Sequence, residues 1–147
     1  WAHDHSLDWS LTQYKPHQGL MDWVRDVNHI YREQRALYER DFDNDGFEWI
    51  DLNDVDNSIL IYMRKGGDGS NPIVVACNFT PVPRYNYTIG VPSEGYWREL
   101  LNSDAERYGG GGQGNMGGLE ATPVPYHGRP YSIRGTLPPL GIVIFSL

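Results

Sequence analysis

The sequence predicts a mainly β protein, an antiparallel Greek-key sandwich preceded by one long helix. Up to about residue 46 the apolar residues recur every three or four positions, which is the period of an α-helix. Beyond that point they alternate or form short solid runs between Gly, Pro, Asn and Asp, which is typical of strands and turns. Six or seven such runs with frequent turns favour a β-sandwich.

The helical pattern occupies residues 17–40. Spacings of three and four place its apolar side chains on one face of the helix. These side chains are Leu20, Trp23, Val24, Val27, Ile30, Tyr31, Leu37 and Tyr38. Pro16 suits the entry turn, because its fixed φ and missing N–H are tolerated there. At ~1.5 Å per residue the helix would be roughly 33 Å long, and we expect its apolar face to pack on a partner.

The strands follow in order after Gly46. Two of them, 59–63 and 73–77, are solid apolar runs that predict central strands buried on both faces. The alternation in 85–91 instead predicts a strand with one solvated face. The remaining predicted strands are 47–52, 96–102, 131–137 and 141–145.

Glycine and proline mark the predicted turns between these strands. Residues 66–69 form a hairpin turn, and the prolines at 138–139 divide the last two strands. Residues 108–118 are so rich in Gly that we expect a surface loop, because Gly loses much backbone entropy on ordering.

Charge and cysteine content narrow the classes of partner. The net charge of −7 disfavours nucleic acid and anionic membranes, which would repel the chain. No apolar stretch approaches the ~18 residues of a membrane span. Cys77 is the one cysteine and lies within an apolar run, so we expect a core residue, no internal disulfide, and a reducing, cytoplasmic location.

Two patterns suggest metal binding but are incomplete. Residues 41–46 (Asp-Phe-Asp-Asn-Asp-Gly) match the first half of a calcium loop, yet Leu52 stands where a bidentate Glu is needed. The sequence therefore favours a turn whose acids cap the end of the helix. His3 and His5 have no third ligand nearby in sequence. We expect neither a metal nor a cofactor.

The five tryptophans divide into two groups. Trp23 lies on the apolar face of the predicted helix, and Trp49 and Trp97 have the spacing of core residues in strands. Trp1 and Trp9 lie in the segment before the helix. Because flat aromatic rings stack on the C–H-rich faces of sugars, these two residues are the candidate substrate-binding positions.

Three stretches of the chain, taken together, carry a family resemblance. The first is Trp-Ala-His-Asp-His-Ser-Leu-Asp-Trp at 1–9, and the second joins 24–31 to 41–49. The third begins with Val-Ala-Cys-Asn-Phe-Thr-Pro-Val-Pro-Arg at 75–84 and continues through 96–104 and 136–140. In this order they resemble the C-terminal portion of bacterial glycogen (1,4-α-glucan) branching enzymes of the α-amylase superfamily.

The resemblance implies a division of the chain. Residues 1–46 would be the last loop and last helix of a truncated (β/α)8 barrel, and 47–147 would be the C-terminal all-β domain. The family's three catalytic carboxylates lie on earlier barrel strands, so the resemblance implies no catalytic residue in this chain and no activity for it alone. Asp4 follows a His as in a catalytic pair of the family, but no apolar strand precedes it, so no catalytic role is transferred to Asp4.

The resemblance also implies the parent's reaction. The parent would cleave α-1,4-glucan and transfer the chain to a 6-hydroxyl in glycogen biosynthesis, by a retaining double displacement between two carboxyl groups ~5–5.5 Å apart. Its partners would be the glucan and the catalytic barrel of the same polypeptide. Two alternatives stay open: a free-standing carbohydrate-binding β-sandwich, and the tail of another α-amylase-superfamily hydrolase. The apolar face of the helix favours the C-terminal portion of a branching enzyme over a free-standing module. A self-sufficient module would have no use for a helix that needs a partner.

Overall fold

A computed structural model describes residues 2–147 of the chain. Across that range it contains one α-helix, α1 (Lys15–Glu33), and eight β-strands. The strands are β1 (Phe47–Asp51), β2 (Ile59–Arg64), β3 (Ile73–Asn78), β4 (Arg84–Val91), β5 (Tyr96–Asn102), β6 (Gly118–Glu120), β7 (Tyr131–Leu137) and β8 (Gly141–Ser146). Short 3-10 turns are found at Trp9–Gln13, Arg35–Leu37, Asn44–Gly46 and Glu106–Tyr108.

The strands form two antiparallel sheets. The large sheet has the order β1-β2-β3-β8-β5-β6, and β4 pairs with β7 in a small second sheet. In the large sheet β8 lies between β3 and β5, so strands that are distant in sequence are neighbours, as in a Greek-key arrangement. The predicted mainly β class with antiparallel sheets and one helix is confirmed.

The main hydrophobic core lies between the two sheets. Trp97 and Phe145 of the large sheet are fully buried there, against Ile89 and Ile133 of the small sheet. The Trp97 indole Nε1 donates to the Ser93 carbonyl over 3.2 Å, so its one polar atom is satisfied. The predicted core position of Trp97 is confirmed.

A second apolar cluster covers the other face of the large sheet. Ile73, Val75 and Cys77 of β3 pack there against Ala36 and Leu37, which follow α1. Strand β3 is therefore buried on both faces, as predicted, and burial raises the pKa of the Cys77 thiol. Strand β2 differs from the prediction, because only alternate residues of it are fully buried.

The predicted extent of the helix, 17–40, is wrong at its C-terminal end. Helix α1 stops at Glu33, and Gln34 is extended with φ −92° and ψ 99°. Leaving the helix lets the chain turn onto the large sheet, where Ala36 is 1% exposed. Tertiary burial of Ala36 and Leu37 therefore overrides the helical periodicity of their sequence.

The acids of 41–46 do not cap the helix, so that part of the expectation is wrong. Asp41 accepts a hydrogen bond from the Tyr31 hydroxyl over 3.0 Å and pairs with the Arg64 guanidinium. A 3-10 turn, Asn44–Gly46, then leads into β1. A Cβ on Gly46 would lie 2.0 Å from the Arg40 carbonyl oxygen, which explains the glycine at this close approach.

The Gly-rich segment 108–118 is a surface loop over most of its length, as predicted, and it is held by specific hydrogen bonds. The Asp104 carboxylate accepts from the backbone N–H groups of Gly111 and Gln113 over 2.8 and 3.0 Å. The loop ends in β6, a strand of three residues that the sequence pattern did not predict. Three residues beginning with Gly118 are too short to show a period.

Candidate functional site

The segment before α1 holds one of the two candidate substrate-binding tryptophans. Trp9 begins a 3-10 turn that Asp8 caps by accepting from the Ser10 N–H over 3.1 Å. The Trp9 side chain is 68% exposed, so its ring is open to a ligand or partner. Trp1 lies outside the described residues. Substrate binding by Trp1 and Trp9 stays a prediction.

Helix α1 exposes a row of large apolar side chains, here called the exposed stripe. It comprises Leu20, Met21, Val24 and Tyr31, which are between 45% and 62% exposed. Leu20, Val24 and Tyr31 follow one another along the helix at spacings of four and seven, so they lie on one side of it. A row of exposed apolar side chains on one helix is a candidate interaction surface.

The neighbouring face of α1 is fixed to the β region. Trp23 packs edge-on against the Tyr108 ring with centroids 5.2 Å apart, and the Tyr108 hydroxyl donates to Asp26 Oδ2 over 2.7 Å. Arg107 pairs with the same carboxylate at 2.7 Å. A Cβ on Gly19 would lie 2.4 Å from the Tyr108 carbonyl oxygen, so the backbones touch here. The helix is thus held in one orientation, with the exposed stripe left open.

The contact between Tyr108 and Asp26 also shifts the pKa values of both side chains. Burial, followed by the hydrogen bond to Asp26, raises the pKa of Tyr108 to about 12. The hydrogen bond from Tyr108 holds the pKa of Asp26 below its ordinary value of 3.8. The pair is therefore a neutral phenol and a carboxylate throughout the neutral pH range.

An open cleft of about 700 Å³, here called the polar cleft, lies beside β4. It is lined by Asp51, Asp54, Asn57, Pro83, Arg84, Tyr85, Asn86, Tyr87, Thr88, Tyr126 and His127. The Tyr87 hydroxyl donates to Asp54 Oδ2 over 2.7 Å, and Asn57 Nδ2 donates to the same carboxylate. Burial and this hydrogen bond raise the pKa of Tyr87. Burial acts to raise the pKa of Asp54, but the hydrogen bonds from Tyr87 and Asn57 outweigh burial, and this pKa is lowered.

His127 lies in the polar cleft as a neutral imidazole. Its Nδ1 accepts from the Gly90 N–H over 3.4 Å, and its Nε2 lies 3.5 Å from Asp51 Oδ2. Burial lowers the pKa of His127 by more than the nearby Asp51 raises it. Sequence reasoning missed this cleft, because its residues come from β1, the β1–β2 loop, β4 and the 122–130 segment and share no motif.

Asn78 explains the run Asn-Phe-Thr-Pro-Val-Pro-Arg at 78–84, which is part of the third stretch of the family resemblance. Its Nδ2 donates to the carbonyls of Val82 and Pro138, both over 2.9 Å. Its Oδ1 accepts from the Thr80 N–H and hydroxyl over 3.0 and 2.8 Å. Asn78 is 1% exposed, so this buried amide ties the turn after β3 to the turn before β8. In this run Asn78 therefore has a structural role, which is to hold the two turns together.

The expectation that Trp49 is a core residue is wrong. The residue is 47% exposed and packs edge-on against Phe47 and Tyr62, with centroids 4.9 and 6.1 Å apart. Strand β1 is an edge of the large sheet, so Trp49 has a neighbouring strand, β2, on one side only.

Metal-ligating side chains are scattered over the part of the chain that is described. No group of three or more His, Cys, Asp or Glu residues within 2–147 is placed to hold a metal ion. Over the same residues, every helix is too short or too polar to cross a membrane.

Comparison with known proteins identifies the family. The model of the α-amylase C-terminal all-β domain matches residues 49–147, and the chain belongs to that family. Part of an α-amylase from H. orenii has a TM-score of 0.47 to this structure, at 22% identity, over 86% of this chain and 20% of that one.

The similar curated proteins are bacterial branching enzymes. The chain is 50% identical over 143 residues to the 1,4-alpha-glucan branching enzyme GlgB of Aquifex aeolicus, covering 97% of this chain and 23% of that protein. It is 52% identical to the enzyme of the same name from Aromatoleum aromaticum, covering 97% and 22%. The chain therefore spans less than a quarter of the length of these relatives. The resemblance stated from the sequence is confirmed.

Proposed function

We propose that this chain is the C-terminal part of a 1,4-α-glucan branching enzyme. Residues 1–46 would belong to the catalytic barrel, and 47–147 would form the all-β domain beside it. The proposal is supported by 50% identity to the Aquifex aeolicus enzyme across 97% of the chain. Because the chain spans 23% of that relative, the barrel and its catalytic carboxylates would lie in the remaining part of the polypeptide.

The exposed stripe of α1 is the observation that carries this proposal. A helix with one face packed on Tyr108 and an adjacent apolar face in water has the pattern of an element placed between two bodies. Fully burying an exposed Leu or Val side chain is worth about 1.5–3 kcal/mol, and Leu20 and Val24, which are 62% and 51% exposed, would gain part of that on burial. A free-standing carbohydrate-binding module would gain nothing from this surface. We assign the barrel of the same polypeptide as the body that covers it.

The chain's own role in this account is structural support. The whole enzyme would cleave an α-1,4-glucan and transfer the released chain to a 6-hydroxyl, using two barrel carboxyl groups ~5–5.5 Å apart. This chain would fix the last barrel helix through the contacts of Trp23 and Asp26 with Tyr108. Trp1 and Trp9 would contact glucan at the rim of the barrel. The single cysteine is in keeping with a cytoplasmic enzyme of glycogen biosynthesis.

Exchange of the matched region tests this function. The region of the Aquifex aeolicus enzyme that matches this chain would be replaced by the chain, and formation of α-1,6 branches on amylose would be measured. We expect branching by the chimera and none by the 147-residue chain alone or by the relative lacking that region. A folded but inactive chimera, or turnover by the chain alone, would contradict the proposal.

A further inference from the structure

The sequence contains two Asp-Gly dipeptides, Asp45-Gly46 and Asp68-Gly69. Such dipeptides are among those most prone to rearrange in water, because glycine has no side chain to keep the aspartyl carboxyl group away from the next backbone nitrogen. The rearrangement requires that the backbone around the pair can turn and that its nitrogen is free to react. The fold places the two dipeptides in opposite environments.

The pair Asp68-Gly69 lies in the connection between β2 and β3. The Ser70 N–H donates to the Gly67 carbonyl over 3.0 Å, so Asp68 and Gly69 are the two central residues of a β-turn. Gly69 has φ 75°, the value that a type II turn requires at this position. Both central residues are exposed. A Cβ on Gly69 would meet no atom of residues 2–147 within 4 Å apart from its chain neighbours, so the turn has open space around it.

The two groups that would react in this turn are unrestrained. The Gly69 N–H donates to no backbone carbonyl within residues 2–147. Over the same part of the chain, the hydrogen bonds and ion pairs of side chains do not include the Asp68 carboxylate. Rotation that brings the carboxyl carbon onto the nitrogen would therefore break no contact of either group.

The other dipeptide, Asp45-Gly46, is an internal comparison, because the fold restrains it. Gly46 is buried at the end of a 3-10 turn, and its N–H donates to the Asp43 carbonyl over 3.0 Å. Its carbonyl accepts from the Lys65 N–H over 3.0 Å and from Arg64 Nε over 3.1 Å. Turning the Gly46 nitrogen towards the Asp45 carboxyl group would break these hydrogen bonds in a buried position, where the lost bonds are costly.

We propose that Asp68 is a site of spontaneous isomerisation to isoaspartate, and that the fold protects Asp45 from the same reaction. The Gly69 nitrogen attacks Cγ of the Asp68 carboxyl group in its acid form. A bond from nitrogen to Cγ forms, and the hydroxyl group leaves with the N–H proton as water. Solvent water then opens the five-membered succinimide. Cleavage of the new bond restores aspartate, whereas cleavage between nitrogen and the main-chain carbonyl carbon gives isoaspartate, whose chain runs through Cγ.

The isomerisation would loosen a tertiary contact of the turn. The Gly67 N–H donates to Glu39 Oε2 over 2.9 Å, and Arg35 Nε donates to Glu39 Oε1 over 2.5 Å. These bonds tie the turn to the segment after α1, whose Ala36 packs against β3. An isoaspartate adds one atom to the backbone within the turn and leaves a free carboxylate there. The hydrogen bond between Gly67 and Ser70 would lose its geometry, and the contact with Glu39 would weaken.

Incubation of the folded 147-residue chain in neutral buffer at body temperature for several weeks tests the proposal. Isoaspartate would be located by peptide mapping and counted by methyl transfer from a protein isoaspartate carboxyl methyltransferase. We expect isoaspartate at position 68 to accumulate roughly tenfold faster than at position 45, because only the first dipeptide is free in the fold. In concentrated urea the two positions should react at similar rates. Equal rates in the folded chain, or no isoaspartate at position 68 when the urea sample has formed it, would overturn the proposal.

Two variants assign the methyl transfer to one residue. Asp68→Glu should remove most of it, because glutamate would have to close a six-membered ring, which forms far more slowly. Asp45→Glu is the matched control, since it changes the other dipeptide, and it should leave methyl transfer unchanged. The reverse pattern would overturn the proposal. In the isomerised chain we expect the Gly67 amide to exchange its hydrogen roughly fivefold faster. An unchanged rate would refute the loosening of the contact with Glu39.

Discussion

The Tyr108 hydroxyl donates to the Asp26 carboxylate over 2.7 Å and so joins the turn after β5 to the middle of α1. Trp23 packs on the same tyrosine ring one turn earlier in the helix, and Gly19 meets the Tyr108 carbonyl one turn before that. One residue therefore contacts three successive turns of α1. This contact determines which apolar residues of the helix remain exposed.

Removal of the hydroxyl should loosen the helix. We expect Tyr108→Phe to lower the free energy of unfolding by about 1 kcal/mol, because a partly buried carboxylate loses a hydrogen-bond donor. Urea unfolding monitored by fluorescence measures this change. Tyr14→Phe is the matched control, since Tyr14 is 55% exposed, and it should have no effect. Equal stability of the two variants would show that the hydrogen bond does not hold α1.

The buried amide of Asn78 gives a larger expected effect. Asn78→Ala leaves the carbonyls of Val82 and Pro138 and the Thr80 N–H without this partner. We expect a loss of about 3 kcal/mol in the free energy of unfolding, since several buried polar groups lose their hydrogen bonds at once. Phe79→Ala, at a neighbouring position that is 58% exposed, should change stability by less than about 0.5 kcal/mol. A loss below about 1 kcal/mol for Asn78→Ala would contradict the role assigned to this residue.

His127 should make the fold less stable in mild acid. Because its pKa in the fold lies below the ordinary value of 6.5, the unfolded chain takes up the proton first as the pH falls. Its contribution to stability is therefore present above pH 6.5 and is lost as the pH falls towards its pKa in the fold. We expect the loss of stability between pH 7 and pH 5 to be smaller in His127→Gln than in the parent chain. Urea unfolding at the two pH values checks this, and an equal loss in both proteins would contradict it.

Short-range pattern predicted most of the strands. The ranges 96–102 and 131–137 coincide with β5 and β7, because turn residues bound both segments clearly. The sequence pattern predicted the wrong structure where tertiary packing decides the conformation or the burial of a residue. Ala36 and Leu37 continue a helical period but turn onto β3, and Trp49 has the period of a core residue but lies on an edge strand.

The exposed stripe of α1 and the polar cleft differ in how much of each could be predicted from the sequence. The apolar face of α1 was visible from spacing alone, since a helix brings near neighbours in sequence together. The exposed part of that face could not be assigned, because contact with Tyr108 decides which residues are covered. The polar cleft could not be predicted, because the fold brings Asp54, Tyr87 and His127 together from distant segments.

Polar substitution of the exposed stripe, in the chain alone and in the chimera with the Aquifex aeolicus enzyme, tests the central claim most directly. We predict that Leu20→Gln with Val24→Gln changes the free energy of unfolding of the 147-residue chain by less than about 0.5 kcal/mol, because both side chains are already exposed. In the chimera the same pair should lower the melting temperature by a few degrees and reduce branching, because both side chains would be buried against the barrel. The control Val55→Gln, at a position 79% exposed in the β1–β2 loop, should leave the chimera unchanged. A chimera whose melting temperature and branching withstand the double substitution would show that the exposed stripe is not the surface that meets the barrel.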